Sequence, residues 1–454
     1  MKEKFIISTI ILLIGGFLTK ILGMIIKIVM TRLIGTEGIG LYMMILPTFS
    51  LFIGLAQAGF PIAISKLVAE DTKNNKKIYA SLFPVSFIIN IILMLIIILI
   101  AKTLAVNLLH DERCLYGIYA ISLVIPLTTL SSMCRSYFFG KQKMLPHVLS
   151  NITEDIARLA LIIIGVPFFY EKGVEYAVCY VILINIVSEL ISILILFFFM
   201  PKNIKIRKED LSPSRIYLKD SLDISIPNTA SRLIGSVAYF IEPIILTSTL
   251  IHVGYSNSFI VNEYGILTGY VLPILLLPSF FTLAISQALL PTVTRLYYRN
   301  DIKGVKRKIK QALFFSLLIG IPTTILLMIE PEFFLNLIYH TKKGASYMVF
   351  LAPFCLLQYI EAPLAFSLDA IGKSKDNMKA TLYGTIIRTS LLFLLAFLKI
   401  GIWCLIISTA LNISCSIPDK IRGTENEISL LIIGPLHISI SNLLFFKVGD
   451  SFLF

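Results

Sequence analysis

Charged residues are scarce in this sequence. Asp, Glu, Lys and Arg make up 15% of its 454 residues, whereas soluble proteins carry about 25%. Hydrophobic residues account for 57%, and many of them lie in runs close to the length of about 20 residues that a helix needs to cross a bilayer. The composition therefore excludes a soluble globular protein and indicates a polytopic membrane protein.

The motifs of common enzyme classes are also missing. The sequence has no P-loop, no GxSxG or HExxH motif and no dinucleotide-binding fingerprint. Its six cysteines include no CxxC pair, so they predict neither a zinc site nor a disulfide framework, and we interpret them as small buried hydrophobic residues. We therefore expect no enzyme activity, no cofactor and no metal.

Acidic residues are fewer than basic ones, 27 against 40, which gives a formal net charge of +13. The basic residues lie between apolar segments and form no basic domain with interleaved aromatic residues, so nucleic acid is not an expected partner. Lys and Arg are concentrated in alternate loops, as is typical of cytoplasmic loops. The sequence predicts a multi-pass protein of the cell membrane, surrounded by membrane lipids, with its N-terminus in the cytoplasm.

Apolar length and charge breaks predict an all-α membrane protein with 12–13 transmembrane helices, because hydrocarbon offers backbone groups no outside hydrogen-bond partner. The predicted spans are 5–30, 40–65, 78–101, 115–134, 151–170, 176–200, 224–251, 264–294, 311–329, 345–367, 380–397 and 400–417, with 428–446 as a weaker candidate. They define an N-terminal six-helix bundle at 1–200, a basic cytoplasmic linker at 201–220, a C-terminal six-helix bundle at 221–417, and an atypical tail at 418–454 with at most one further span.

Similar short motifs about 230 residues apart indicate an internal repeat. His110 and His340 each follow the third span of a half, and Gly140-Lys-Gln-Lys143 is matched by Gly372-Lys-Ser-Lys375. Because each half has an even number of spans, both halves enter the membrane in the same direction. The sequence therefore predicts a parallel repeat about a pseudo-two-fold axis, an arrangement that is common in secondary transporters.

Charged residues inside the spans are the most informative positions, since each costs roughly 2.5–3.5 kcal/mol near a helix centre. In the first span, Lys20 and Lys27 lie two helical turns apart on one face, and Arg32 follows near the outer end. In the seventh span, Arg232 occupies the position equivalent to Lys20, and Glu242 follows. We interpret these five residues as a substrate-binding set in which Lys20 and Arg232 meet across a central cleft and bind an anion such as a diphosphate.

Other charges within the spans allow more than one interpretation. Glu189, Glu361 and Arg388 are candidates for ion coupling or for ion pairs. Pairing of either glutamate with the first-span or seventh-span cation is the alternative to a shared anion site. Arg158 and Arg388 lie close to cytoplasmic helix ends, where we expect both side chains to extend towards the headgroups.

Several segments resemble a known family. The stretch Gly38-Ile-Gly-Leu-Tyr-Met-Met-Ile-Leu-Pro47, its continuation through 59–70, and Arg135-Ser-Tyr-Phe-Phe-Gly140 are similar to the polysaccharide-biosynthesis branch of the multidrug/oligosaccharidyl-lipid/polysaccharide (MOP) flippase superfamily, which includes the lipid II flippases. The resemblance implies two six-helix bundles around a central cavity, alternating access, a role in spore-cortex peptidoglycan assembly, and first-span cations that line the cavity. Similar proteins usually have fourteen spans, and the likeness ends after Ile417.

The resemblance and the charged spans together predict translocation of a lipid-linked anionic oligosaccharide by alternating access, with a peptidoglycan precursor such as lipid II as the expected cargo. Two alternatives remain open. A cation-coupled exporter of small molecules would need acidic rather than basic cavity residues. A non-transporting scaffold would recruit cell-wall synthesis enzymes through basic cytoplasmic loops such as 303–310.

Overall fold

A computed structural model describes residues 2–70, 75–200 and 214–423, and these residues form helices joined by short connections, with no strand among them. The all-α prediction is therefore confirmed. Most of the predicted linker 201–220 and of the predicted tail 418–454 lies outside the described residues. Four of the six cysteines are buried, as expected for small hydrophobic side chains.

The helices of the first half follow the predicted spans. They are α1 (Lys2–Gln57), α2 (Phe60–Ala69), α3 (Asn75–Lys102), α4 (Cys114–Gly140), α5 (Met144–Tyr170) and α6 (Val174–Phe199), and a π-helical turn, Thr103–Leu108, extends α3. Helix α1 contains both the first predicted span and the start of the second. It is interrupted at Gly35, whose φ of 67° and ψ of −172° are accessible essentially only to glycine.

The helices of the second half include one broken span. They are α7 (Arg215–Val253), α8 (Asn257–Gly265), α9 (Leu272–Leu275), α10 (Ser279–Tyr298), α11 (Ile302–Ile329), α12 (Pro331–Tyr339), α13 (Ala345–Ala370), α14 (Ser374–Ala396) and α15 (Trp403–Gly423). The predicted eighth span, 264–294, is divided among α8, a π-helical turn at Ile266–Val271, α9 and α10. Pro273 and Pro278 account for the interruptions, because proline offers the helix no backbone N–H.

Within the described residues, eight helical segments are long and apolar enough to cross a membrane. The chain is thus a polytopic membrane protein, as predicted. Helix α5 is not among the eight, although it is 27 residues long. It carries three charged side chains, Glu154, Asp155 and Arg158, within five positions.

Backbone breaks recur about 230 residues apart. His110 and His340 both have a φ of 54°, and Gln142, with a φ of 54°, corresponds to Gly372, with a φ of 80°. The histidines precede α4 and α13, and the second pair of residues precedes α5 and α14. Equivalent breaks thus occur in the same order in both halves, in agreement with the internal repeat of the sequence.

The chain divides into two compact units, residues 1–269 and 270–454. Helices α7 and α8 belong to the first unit, where they pack against α1. Gly40 on α1 approaches α8 so closely that a Cβ atom there would lie 2.1 Å from the carbonyl oxygen of Val261. The sequence predicts instead that α7 and α8 belong to a second six-helix bundle, which begins after a linker at 201–220. This division into two six-helix bundles stays a prediction.

Candidate functional site

The two cations at the centre of the predicted substrate site lie on exposed helix faces of the first unit. Lys20 on α1 and Arg232 on α7 are both exposed. Neither forms an ion pair with any residue in the part of the chain that the structure describes. Both charges are therefore accessible to an anion.

Glycines leave space around both cations. Gly16 and Gly23 lie four residues before and three residues after Lys20, on the same face of α1, and Gly235 lies one turn after Arg232 on α7. A Cβ atom at any of these three glycines would meet no atom within 4 Å. A bulky headgroup can therefore approach the helix backbone beside each cation.

Lys27 is engaged within the protein. Its side chain is half-buried, and its Nζ donates a hydrogen bond to the carbonyl oxygen of Thr268 over 3.3 Å. Thr268 lies in the π-helical turn, and the residue five positions later, Pro273, has no N–H to offer this carbonyl in the π register. Lys27 therefore donates to a backbone carbonyl that Pro273 cannot serve, a contact that its position in the sequence did not reveal.

The other two members of the predicted substrate-binding set differ in exposure. Arg32 is exposed, just before the break at Gly35. Glu242 on α7 is only 6% exposed and precedes the buried Pro243. The structure therefore presents Lys20, Arg32 and Arg232 on the surface of the unit but buries the one acidic residue.

A chain of alternating charges lies inside the first unit, and we call it the charge chain. Arg135 on α4 forms ion pairs with Glu154 on α5 and, over 3.1 Å, with Glu189 on α6. Arg158 on α5 pairs with Glu154 and, over 3.3 Å, with Asp155. The charge chain thus runs from Glu189 to Asp155 with a guanidinium between each pair of carboxylates, and it joins three helices.

The charge chain corrects the expected position of Arg158. Its guanidinium does not extend alone towards the headgroups but binds two carboxylates of its own helix. Glu189 pairs with Arg135 and not with either exposed cation, so pairing of Glu189 with Lys20 or Arg232 is not observed. In the sequence, Arg135 stands out only as part of a family motif.

The sequence does not identify Glu154 as a partner of Arg135. The available signal was its spacing from Arg158, since residues four apart share one face of a helix. A second signal was the position of Arg135, five residues before the end of the apolar helix α4. Each signal concerns a single helix, so neither reveals that α4 and α6 contribute to the same cluster.

A cavity of about 290 Å³ adjoins the charge chain. Helices α1, α4, α5 and α6 line it, and half of the lining side chains are apolar. The polar lining consists of Tyr42, Thr128, Arg158, Asn185 and Glu189. The first unit therefore contains an interior space with one terminal carboxylate of the charge chain in its wall.

A second polar cluster joins α1, the connection before α4 and the start of α8, and we call it the loop clamp. Arg113, immediately before α4, pairs with Asp111 over 2.8 Å and with Glu37 on α1. Asn257, the first residue of α8, donates a hydrogen bond to Asp111 Oδ2 over 2.9 Å. The hydrogen bond with Asp111 and, to a lesser degree, that with Glu37 raise the pKa of Arg113 above its usual value.

Two candidate residues for ion coupling or ion pairing lie in the second unit. Glu361 on α13 and Arg388 on α14 are both half-buried. Gln358 Nε2 donates a hydrogen bond to Glu361 Oε2 over 3.5 Å. Roles for both residues in coupling stay predictions. Among the described residues, no group of three or more His, Cys, Asp or Glu side chains could hold a metal ion.

The chain matches two protein families and is similar to several known proteins. The family described as polysaccharide biosynthesis protein matches residues 6–297, and the MatE family matches residues 267–398. The chain is 34% identical to Stage V sporulation protein B of Bacillus subtilis (strain 168), over 87% of this chain and 78% of that protein. It is 23% identical to Lipid II flippase MurJ of the same organism, over 86% and 76% of the two chains.

One solved structure shows the same fold. It is an inward-facing conformation of a multidrug resistance MATE family transporter of the MOP superfamily. The TM-score is 0.72 at 18% sequence identity, over 94% of this chain and 96% of that chain.

Proposed function

Because the chain belongs to the family described as polysaccharide biosynthesis protein, we propose that it translocates a lipid-linked anionic oligosaccharide across the cell membrane. The observation that carries this proposal is the pair of exposed cations, Lys20 and Arg232, each beside glycines that leave open space. An oligosaccharide attached through a diphosphate to a lipid is large and anionic, so it needs both the space and the positive charge.

The energy of charged side chains in apolar helices also favours an anionic cargo. Each cation within an apolar helix costs roughly 2.5–3.5 kcal/mol unless it meets water or a counter-charge. A phosphate about 4 Å from a cation contributes about 4 kcal/mol at an effective dielectric constant of about 20. Since neither Lys20 nor Arg232 has an ion-pair partner among the described residues, an anionic headgroup would supply the compensation.

The proposed cargo is a peptidoglycan precursor such as lipid II, moved by alternating access for synthesis of the spore cortex. The names of two relatives support this class, one a lipid II flippase and the other a stage V sporulation protein. The alternative, a cation-coupled exporter of small molecules, would need acidic rather than basic cavity residues. The exposed charges of the predicted substrate-binding set are instead the cations Lys20, Arg32 and Arg232, and its one acidic residue, Glu242, is buried. The concentration of Lys and Arg in alternate loops supports an orientation with the N-terminus in the cytoplasm.

Labelled lipid II in vesicles containing the full-length protein tests the proposal. Lys20→Ala and Arg232→Ala should each lower the translocation rate by about 10-fold to 150-fold, if each cation contributes the roughly 1.5–3 kcal/mol of a charged hydrogen bond. Lys20→Arg should retain most of the rate because it keeps the charge. Lys102→Ala, an exposed lysine at the end of α3, is the matched control and should have no effect. Wild-type rates in both cation variants would remove these residues from the transport mechanism.

A further inference from the structure

The charge chain carries one more negative than positive charge. The three carboxylates of Glu154, Asp155 and Glu189 face only two guanidinium groups, those of Arg135 and Arg158. The five side chains are 5–23% exposed, so water compensates the excess charge poorly. A buried charge without compensation is costly, and uptake of one proton by a carboxylate removes that cost.

The structure indicates which carboxylate is suited to take the proton. Glu154 contacts both guanidinium groups and is the best compensated of the three. The two ends of the charge chain, Glu189 and Asp155, have one guanidinium partner each. The side chain of Glu189 is 5% exposed and that of Asp155 is 14% exposed, so burial favours the neutral form more strongly at Glu189.

The adjoining cavity gives Glu189 a route for the proton. Its volume of about 290 Å³ exceeds the roughly 30 Å³ that one water molecule occupies in the liquid. Tyr42, Thr128 and Asn185 line the same cavity, and their oxygen atoms can accept a hydrogen bond from water or from a neutral carboxyl group. Water can therefore enter the space in which Glu189 lies.

The remaining groups near Glu189 favour a proton over a metal cation. Arg158 also lines the cavity, and its positive charge disfavours a sodium ion there. The other titratable groups around this part of the charge chain are Tyr42 on α1, Cys134 on α4 and His147 on α5, the last two close to Arg135. None of them adds a carboxylate to the cavity lining, so a sodium ion there would have Glu189 as its single anionic ligand, next to the guanidinium of Arg158.

We infer that Glu189 is a proton-binding site within the first unit. Its carboxylate takes a proton from water in the cavity and becomes a neutral carboxyl group, and the reverse step returns the proton to water. The ion pair with Arg135 weakens when Glu189 is neutral, so protonation changes a contact between α4 and α6. The site itself does not depend on the cargo, but any part it has in driving translocation rests on the proposed function.

Infrared difference spectroscopy at stepped pH values tests the inference, on full-length protein in lipid nanodiscs without substrate. Acidification of the wild-type protein should produce the C=O stretching band of a buried carboxylic acid, equivalent to one proton per chain. Glu189→Gln, which imitates the neutral form, should lose this band. Glu175→Gln, the same substitution at the start of α6, should keep it. If Glu189→Gln does not fold, Glu189→Asp should instead shift the frequency of the band.

Two results would overturn the inference. One is an unchanged band in Glu189→Gln, or an unshifted band in Glu189→Asp. The other is a rise in thermal stability with NaCl but not with KCl that Glu189→Gln abolishes, because it would identify a sodium site. Translocation of labelled lipid II by the same protein in sealed vesicles separates the two proposals: a wild-type protein with the expected band but no translocation contradicts only the proposed cargo.

Discussion

Replacement of Arg135 by Gln is expected to destabilise the first unit strongly. Arg135 is the one guanidinium of the charge chain that joins three helices, since it contacts Glu154 on α5 and Glu189 on α6 from its position on α4. Its Nη2 also donates a hydrogen bond to Ser192 Oγ over 2.7 Å. Glutamine retains a polar group at this position but removes the positive charge, so the charge chain would have an excess of two negative charges.

The structure sets the size of the effect. Removing one partner of a buried ion pair costs about 3–5 kcal/mol, because the other charge stays buried without compensation. The Arg135 side chain is 18% exposed and its two partners are 9% and 5% exposed, so solvent screens these pairs only weakly. We therefore expect Arg135→Gln to lower the free energy of unfolding by about 3 kcal/mol or more.

A double-mutant cycle with Glu189→Gln tests the cause of the loss. The double variant restores an excess of one negative charge, so it should be more stable than Arg135→Gln alone, with an interaction energy of about 0.5–3 kcal/mol. Unfolding can be followed in mild detergent with a thiol-reactive dye, because the buried cysteines react only when the protein opens. These cysteines are Cys114, Cys134, Cys355 and Cys404.

Two outcomes would refute this reasoning. If Arg135→Gln unfolds at the wild-type temperature, the charge chain does not stabilise the bundle. If the two substitutions are simply additive, Arg135 and Glu189 do not interact in the folded protein, whatever the size of each single effect.

Two further predictions concern contacts of α1. Gly40→Ala should destabilise the protein by about 1–3 kcal/mol relative to Gly16→Ala in thermal unfolding, because the new Cβ atom would lie 2.1 Å from the Val261 carbonyl oxygen, whereas at Gly16 it would meet nothing within 4 Å. Equal stability of the two variants would contradict the close packing of α1 and α8. Arg113→Gln should cost about 1–3 kcal/mol, because its main partner, Asp111, is only 3% exposed and would keep a buried charge without this donor. Part of the loss should disappear in high salt, since Arg113 and Glu37 are 31% and 40% exposed, as denaturation at two salt concentrations would show. A loss that does not change with salt would mean that the loop clamp acts through packing.

Much of the helical fold could be predicted because the bilayer restricts the choices. A segment of about 20 apolar residues has almost no alternative to a helix. The interruptions were harder to predict. The break at Gly35 depends on a backbone conformation that only the folded chain reveals, and the division of the eighth span at Pro273 requires a decision between a kinked and a broken helix.

The candidate site was only partly predictable for a different reason. Lys20 and Arg232 could be recognised as unusual charges from one span each, and the structure exposes both. The partners of Arg135 could not be recognised in this way, because Glu154 and Glu189 lie 19 and 54 residues further along the chain. Contacts between helices depend on their rotation and crossing, which apolar periodicity does not determine in helices that are apolar on all sides.

The hydrogen bond from Lys27 to Thr268 bears on how basic residues in membrane helices are interpreted. At this position an ammonium group binds a backbone carbonyl in a segment that proline interrupts. A methionine of similar length would fill the volume and remove this donor. The number of lysines and arginines in the spans therefore overstates how many can bind a negatively charged molecule. Each one must first be examined for hydrogen bonds to backbone carbonyl groups.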